Sequence, residues 1–180
     1  MAAVSGTDVF AVDMGMISPV AGTIDCRMAC GTQNMANQPA MTRKQAEEAV
    51  QSGIDMVEDM KKRGYQLIAT GEMGIGNTTA STAMACALLG FTPDELTGRG
   101  AGLSDAGLIR KRHAINQALR LHQPDANSPM DVLAKVGGFE IAGMVGAFLG
   151  GMKYGIPVII DGVISAVAAL TAARICPKAV

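Results

Sequence analysis

The most regular hydrophobic pattern in the chain lies between residues 46 and 60. Ala46, Ala49, Val50, Gly53, Met56, Val57 and Met60 recur at three- and four-residue intervals, which makes one apolar stripe at helical period. Thr42 and Gln45 stand ahead of it at capping-box spacing. Lys61-Lys62-Arg63 suit the negative end of a helix, and Gly64 can take the left-handed cap. The pattern therefore predicts a helix that Thr42 opens and Gly64 ends. Three apolar runs are too short for helices: Val9–Asp13, Tyr65–Thr70 and Ile156–Asp161. They read as buried strands, the last with a proline at its start, where a strand tolerates it. Residues 14–41 show no clear period and carry Gly, Pro, Asn and Thr; they are expected to be irregular.

Beyond Thr70 the pattern alternates between glycine-rich turns and apolar helices. Residues 78–90 are nearly all small or apolar, as in a helix buried all round. Phe91–Leu103, with Pro93 and Gly98-Arg99-Gly100-Ala101-Gly102, reads as a mobile loop. Ser104-Asp105 can cap a helix running to about Leu121, and Ser128-Pro129 can start another, which Gly137-Gly138 breaks. Phe139–Gly151 reads as a third, in which Ala142, Gly146 and Gly150 form a small-residue line suited to tight packing. Gly162 then turns into a helix across Ser165–Ala173. Strands separated by helices imply parallel pairing by crossover. The expectation is one α/β domain over residues 1–180, with three strands, which is thin for such a sheet.

Composition narrows the function classes. The chain has 180 residues, enough for one domain with a real core. Its 15 Lys+Arg against 16 Asp+Glu offer no basic excess for a phosphate backbone, and 3% aromatics without Trp offer no base-stacking platform. Nucleic acid is not an expected partner. Mean hydropathy is +0.26, yet the most apolar stretches, Ile141–Met152 and Gly162–Ala173, fall short of the roughly 20 residues a spanning helix needs. No membrane segment is expected, no secretory signal is visible at the N-terminus, and a cytoplasmic location follows as an expectation. Cys26-x3-Cys30 could in principle hold a metal. No second Cys pair exists, and His113 and His122 lie far along the chain. Free thiols in a reducing compartment are the better reading for Cys26, Cys30, Cys86 and Cys176.

The candidate chemistry sits in Gly71-Glu72-Met73-Gly74-Ile75-Gly76-Asn77-Thr78-Thr79, between a strand and a buried helix. Helix-start N–H groups have no internal partners, the dipole is positive there, and glycine lets the backbone approach a phosphate. The same features fit a tight, empty strand-to-helix turn. Gly71-x4-Gly76-Asn77-Thr78 has P-loop spacing, but Asn77 stands where that motif needs Lys. The dinucleotide fingerprint fails because Thr79 occupies its third glycine. Glu72 adds a negative charge. The loop therefore points to a monophosphate with something polar near Glu72, such as ribose hydroxyls. Asp161, at a strand end before Gly162, reads either as a ribose or cation partner or as a helix cap. Asp13 has an equivalent place and the same two readings. Lys111 and Arg112 border the apolar face of their helix, either reaching to solvent or pointing into a cleft at an anion. Glu140 reads first as a helix-start charge and second as a site residue.

The 71–79 loop closely resembles the signature loop of the nicotinate-nucleotide–dimethylbenzimidazole phosphoribosyltransferases. Cys26-Arg27 with Gly31-Thr32, Pro39–Thr42, Gly98–Asp105, Gly137–Met144 and Asp161-Gly162 to Ser165 resemble that family in the same order. The resemblance implies a Rossmann-like parallel sheet with helices on both faces, incomplete here, because the chain is similar only to the family's middle. Outer strands and a small helical domain would be missing. It implies a homodimer and no cofactor. The implied activity is phosphoribosyl transfer from nicotinate mononucleotide to 5,6-dimethylbenzimidazole, giving α-ribazole 5′-phosphate and nicotinate in cobalamin synthesis. It implies that Gly74, Gly76, Asn77 and Thr78 hold phosphate, that Glu72 and Asp161 contact ribose, that Lys111 adds positive charge, and that Met73 lies near the aromatic base. The family's catalytic Glu would lie beyond Val180, so no residue here takes that role. The chain alone is then expected to turn over poorly, with a non-catalytic nucleotide-binding or dimerisation module as the alternative.

Overall fold

The computed structural model describes residues 2–180. In chain order it contains α1 (Ala2–Ser5), β1 (Val12–Asp13), β2 (Ile24–Asp25), α2 (Arg43–Lys62), β3 (Ile68–Ala69), α3 (Thr78–Leu89) and α4 (Pro93–Leu96). There follow α5 (Asp105–His122), α6 (Pro129–Val136), α7 (Phe139–Tyr154), β4 (Val158–Ile159), α8 (Val163–Ile175) and a closing 3-10 turn, Pro177–Ala179. The chain is thus of the α/β class, with short parallel strands among helices.

The strands depart from the expected three-stranded sheet. β1 pairs in parallel with β2, Val12 opposite Ile24, and β3 pairs in parallel with β4, Ile68 opposite Val158. These are two separate ribbons. β2 falls inside the segment read as irregular, because two residues are too few to show any alternation. α4 falls inside the 91–103 segment read as a mobile loop. It is held by a capping box in which Thr92 N–H and Oγ1 both bond the Glu95 carboxylate at 2.7 Å.

α2 forms as its pattern requires. Thr42 accepts from the Gln45 N–H at 3.1 Å, and Gln45 accepts from the Thr42 N–H at 3.0 Å; such a cap is worth about 1 kcal/mol. Gly64 takes the left-handed conformation at φ +91°. The buried face is Ala46, Ala49, Val50, Gly53, Val57 and Met60, each large side chain there contributing roughly 1.5–3 kcal/mol. This face packs on α7 almost backbone to backbone. A Cβ on Gly53 would lie 1.9 Å from the Gly143 carbonyl oxygen, and one on Gly146 would lie 2.0 Å from that of Val50. Around this pair the core gathers Met84, Leu88, Ile115, Leu133, Phe139, Phe148 and Ile164.

The packing brings several chain ends to one place. Gly15, just after β1, lies against the Phe139 ring, and Gly143 lies against Met14, so the end of β1 meets the start of α7. β3 and β4 run parallel and leave in the same direction, with Thr70 N–H on the Ile159 carbonyl at 3.2 Å. The 71–77 loop and Asp161-Gly162 therefore emerge from the same end of one ribbon. No helix among the described residues is long and apolar enough to cross a membrane.

Candidate functional site

The glycine loop is built as an open cradle. Gly74 and Gly76 have φ of +70° and +83°, a region where an L side chain is strained. Asn77 is the N-cap residue of α3, but its side chain makes no cap hydrogen bond, so the first N–H groups of that helix remain open. The Asn77 amide goes instead to Glu72, whose Oε2 accepts from Asn77 Nδ2 at 2.5 Å and from the Gly74 N–H at 2.5 Å. Glu72 is thus folded into its own loop by one oxygen. Met73 and Ile75 stand out from the loop, 85% and 74% exposed.

Beside this loop lies a cleft of about 240 Å³ lined by Gly74, Gly76, Thr78, Thr79, Arg99 and the 101–103 turn. Lys111 lies beneath it. It is 7% exposed, and its Nζ donates to Thr78 Oγ1 at 2.9 Å and to the Gly98 carbonyl at 3.1 Å. Burial pushes its pKa down, and no charged group opposes that shift. A lysine in that position is a cation whose charge waits for an anion. Gly100 sits so close that a Cβ there would meet Thr78 Oγ1 at 2.9 Å, which seats the 98–103 turn on the start of α3.

Of the two cations that border the helical stripe, Lys111 goes inward. Arg112 turns to the rim and meets Asp94 at 3.5 Å. The periodicity could not separate them; the difference comes from α4 and the 98–103 turn, which supply an acid to one and a carbonyl to the other. Arg99, which the sequence placed only in a mobile segment, is at the mouth of the cleft, donating to the Leu103 carbonyl at 2.9 Å and paired with Asp105. Its signal was its place between Gly98 and Gly100.

The remaining acids divide. Asp161 is exposed, and its carboxylate does not cap α8. Ser165 Oγ instead ties the entry to the helix, accepting from the N–H groups of Asp161 at 2.9 Å and Gly162 at 3.0 Å. The cap reading of Asp161 is therefore corrected: the N-cap position of α8 falls on Gly162, one residue beyond Asp161, and no side chain caps the helix. Asp13 is spent on its own turn, accepting from Gly15 at 3.0 Å and Met16 at 2.8 Å with Arg27 at 3.6 Å. Glu140, read first as a helix-start charge, turns inward toward Asn77 and Glu72. Burial raises its pKa, the Glu72 charge adds to that, and its own N–H and the Asn77 side chain pull the other way. Cys30 is exposed, Cys26 and Cys176 are half-buried, Cys86 is buried, and all are free thiols. No group of three or more His, Cys, Asp or Glu side chains suited to a metal occurs among the described residues.

A phosphoribosyltransferase family model matches residues 1–180. The chain belongs to this phosphoribosyltransferase family. Two curated relatives are named nicotinate-nucleotide–dimethylbenzimidazole phosphoribosyltransferase. The protein of Acetivibrio thermocellus is 48% identical over 176 residues, covering 97% of this chain and 50% of that protein. The one of Alkaliphilus metalliredigens is 49% identical over 178 residues, covering 97% and 51%. Among solved structures, CobT from Thermus thermophilus superimposes with a TM-score of 0.90 at 37% identity, over 98% of this chain and 54% of that one. The phosphoribosyltransferase relatives are transferases of the pentosyl-transferring kind, and the chain spans about half their length. The resemblance carried by the 71–79 loop is thereby confirmed at the level of the family.

Proposed function

We propose that this chain supplies the nucleotide-binding part of an enzyme that moves phosphoribosyl from nicotinate mononucleotide to 5,6-dimethylbenzimidazole, giving α-ribazole 5′-phosphate and nicotinate. The reading is carried by one observation: Lys111, buried without a counter-charge, lies beside a glycine loop whose helix-start N–H groups are open. The 5′-phosphate occupies the cleft over Gly74, Gly76, Asn77 and Thr78, with Lys111 beneath and Arg99 at the mouth. Glu72 and Asp161 take the ribose hydroxyls, and Met73 meets an aromatic base. The domain acts in the cytoplasm, as one α/β unit of a homodimer in cobalamin synthesis.

The reaction forms a bond from a benzimidazole nitrogen to the anomeric carbon while the bond to the pyridinium nitrogen breaks. The electron pair leaves with nicotinate, and the benzimidazole N–H proton must go to a base. The loop and Lys111 fix the phosphate and hence the anomeric carbon; such positioning lowers the entropic part of the barrier. The Glu72 carboxylate, close to the ribose, favours the positive charge that develops on the ring. No carboxylate of this chain is assigned as the proton acceptor. Because the chain spans about half of its relatives, the second reading is a nucleotide-binding or dimerising module without turnover. Calorimetry with nicotinate mononucleotide, together with a chromatographic assay for α-ribazole 5′-phosphate, separates the two. Binding with product supports the transferase, and binding without product supports the module. No binding at all refutes both.

A further inference from the structure

α5 holds the 98–103 turn at two points. Lys111 Nζ donates to the Gly98 carbonyl at 3.1 Å, and Asp105, at the start of the same helix, accepts from Arg99 Nη2. Within the turn, Arg99 Nη1 donates to the Leu103 carbonyl at 2.9 Å, and the Leu103 N–H returns to the Arg99 carbonyl at 3.1 Å. Asp105 is not needed to cap its helix. Ser104 does that, its Oγ accepting from the Gly107 N–H at 3.2 Å. A first-turn aspartate ordinarily serves its own helix through the free N–H groups and the dipole. This carboxylate instead reaches out of the helix to a residue six positions back. The guanidinium it meets lines the cleft together with Gly74, Gly76 and Thr78. An arginine has five N–H donors in a rigid fork. Here one on Nη1 and one on Nη2 are engaged, and the others have no partner among the described residues.

We propose that Asp105 is a positioning residue of this site: it holds the Arg99 guanidinium at the mouth of the cleft, leaving the unengaged donors of the fork for the 5′-phosphate. The inference deepens the phosphoribosyl reading and rests on it. The Arg99 side chain is 55% exposed and stands between glycines, of which Gly100 and Gly102 have φ of +58° and +100°. Besides the Leu103 carbonyl, only Asp105 restricts where this long side chain points. A guanidinium free to swing must be ordered by the ligand itself, which weakens binding; Asp105 orders it beforehand. Arg99 need not leave Asp105 when the phosphate arrives, because the fork has donors for both. As an exposed ion pair, Arg99–Asp105 adds little to stability, so its loss is read in binding rather than in the fold. A carboxylate that merely competed with the ligand for Arg99 would have the opposite effect on affinity.

The test is calorimetric binding of nicotinate mononucleotide and of nicotinate riboside to the 180-residue chain. Asp105→Ala is expected to weaken mononucleotide binding about three- to tenfold, the effect of leaving one long side chain for the ligand to order. The riboside, which has no phosphate, should stay within about twofold. Asp105→Asn keeps an oxygen that can accept from Nη2 and should bind the mononucleotide within about twofold of the wild type. A role confined to the helix-start charge would instead make Asp105→Asn as weak as Asp105→Ala. In an Arg99→Gln background, Asp105→Ala should cost less than about twofold, since the group it positions is gone. Asp105→Ser, too short to hold the guanidinium, should match Asp105→Ala and decides the matter if that variant fails to fold. Wild-type or tighter mononucleotide binding by Asp105→Ala, an equal loss for both ligands, Asp105→Asn as weak as Asp105→Ala, or effects of Arg99→Gln and Asp105→Ala that multiply would each overturn the inference and leave the phosphoribosyl reading standing. Absence of mononucleotide binding by the wild-type chain would overturn both.

Discussion

Lys111→Met separates the two things a buried cation does, which are to strain the fold and to bind an anion. The residue is 7% exposed. Its ammonium has three donors and uses two of them, on Thr78 Oγ1 at 2.9 Å and the Gly98 carbonyl at 3.1 Å. Methionine fills a similar volume and removes the charge. Thr78 and Gly98 each lose a bond worth about 1 kcal/mol, and the fold is relieved of an uncompensated buried charge. These terms oppose each other, so stability by urea titration should change by less than about 2 kcal/mol. Binding has no such offset. A charge pair 4 Å apart at an effective dielectric of about 20 has an upper bound near 4 kcal/mol, and charged hydrogen bonds measure about 1.5–3 kcal/mol. Affinity for nicotinate mononucleotide should therefore drop roughly 10- to 100-fold. Nicotinate riboside, which lacks the phosphate, should bind the variant as it binds the wild type. The wild type carries a further signature. Its Lys111 pKa is held below the ordinary value by burial, so above the folded pKa the unfolded chain binds more protons than the folded one. Stability from this group thus rises with pH up to the unfolded value of about 10.4, and that rise should be missing from Lys111→Met. Unchanged mononucleotide affinity, or an equal loss for riboside and mononucleotide, would refute a phosphate role for Lys111.

Two further substitutions test the loop and the scaffold separately. Gly76→Val meets no atom within 4 Å, but it forces a β-branched residue to φ +83°. It should cost about 1–2 kcal/mol in stability and abolish detectable mononucleotide binding by calorimetry; retained binding would remove the loop from the site. Gly146→Ala drives a methyl group to 2.0 Å from the Val50 carbonyl oxygen and must part α2 from α7. A loss above about 3 kcal/mol, or of cooperative unfolding altogether, is expected by circular dichroism; a near-wild-type urea midpoint would show that the two helices do not pack backbone to backbone.

What the sequence revealed tracks how local each cause is. α2 was legible in full because its stripe, its Thr42–Gln45 box and Gly64 are all written within 23 residues. The glycine loop was legible because Gly74 and Gly76 announce positive φ by their identity. The ribbons were not, since strands of two residues carry no period, and their pairing depends on partners from 12 to 90 positions away. α4 was missed although Thr92-Pro93-Asp94-Glu95 is a complete capping box with Pro at its first helical position; the adjacent glycines drew the reading toward a loop. Arg99 and Glu140 carried only weak local signals, a place between Gly98 and Gly100 and a place after Gly137-Gly138, because what brings them near the start of α3 is the return of distant segments.

That return gives the site its polarity. Asn77 and Thr78 are consecutive, yet one is held by an acid and the other by an amine: Asn77 donates to Glu72, and Thr78 accepts from Lys111. Burial moves the pKa of Lys111 down and that of Glu140 up, so both charged forms are disfavoured in the empty site. A phosphate against Thr78 stabilises the first and, by repulsion, further disfavours the second. A ligand with its anion on the Thr78 side and neutral hydroxyls on the Asn77 side suits both ends. Under the proposed reading this orients the nucleotide along the turn, with phosphate over Thr78 and Arg99 and the sugar at Glu72. It also explains why Glu72 can sit inside an anion loop without defeating it: its charge is drawn off the phosphate path by Gly74 and Asn77.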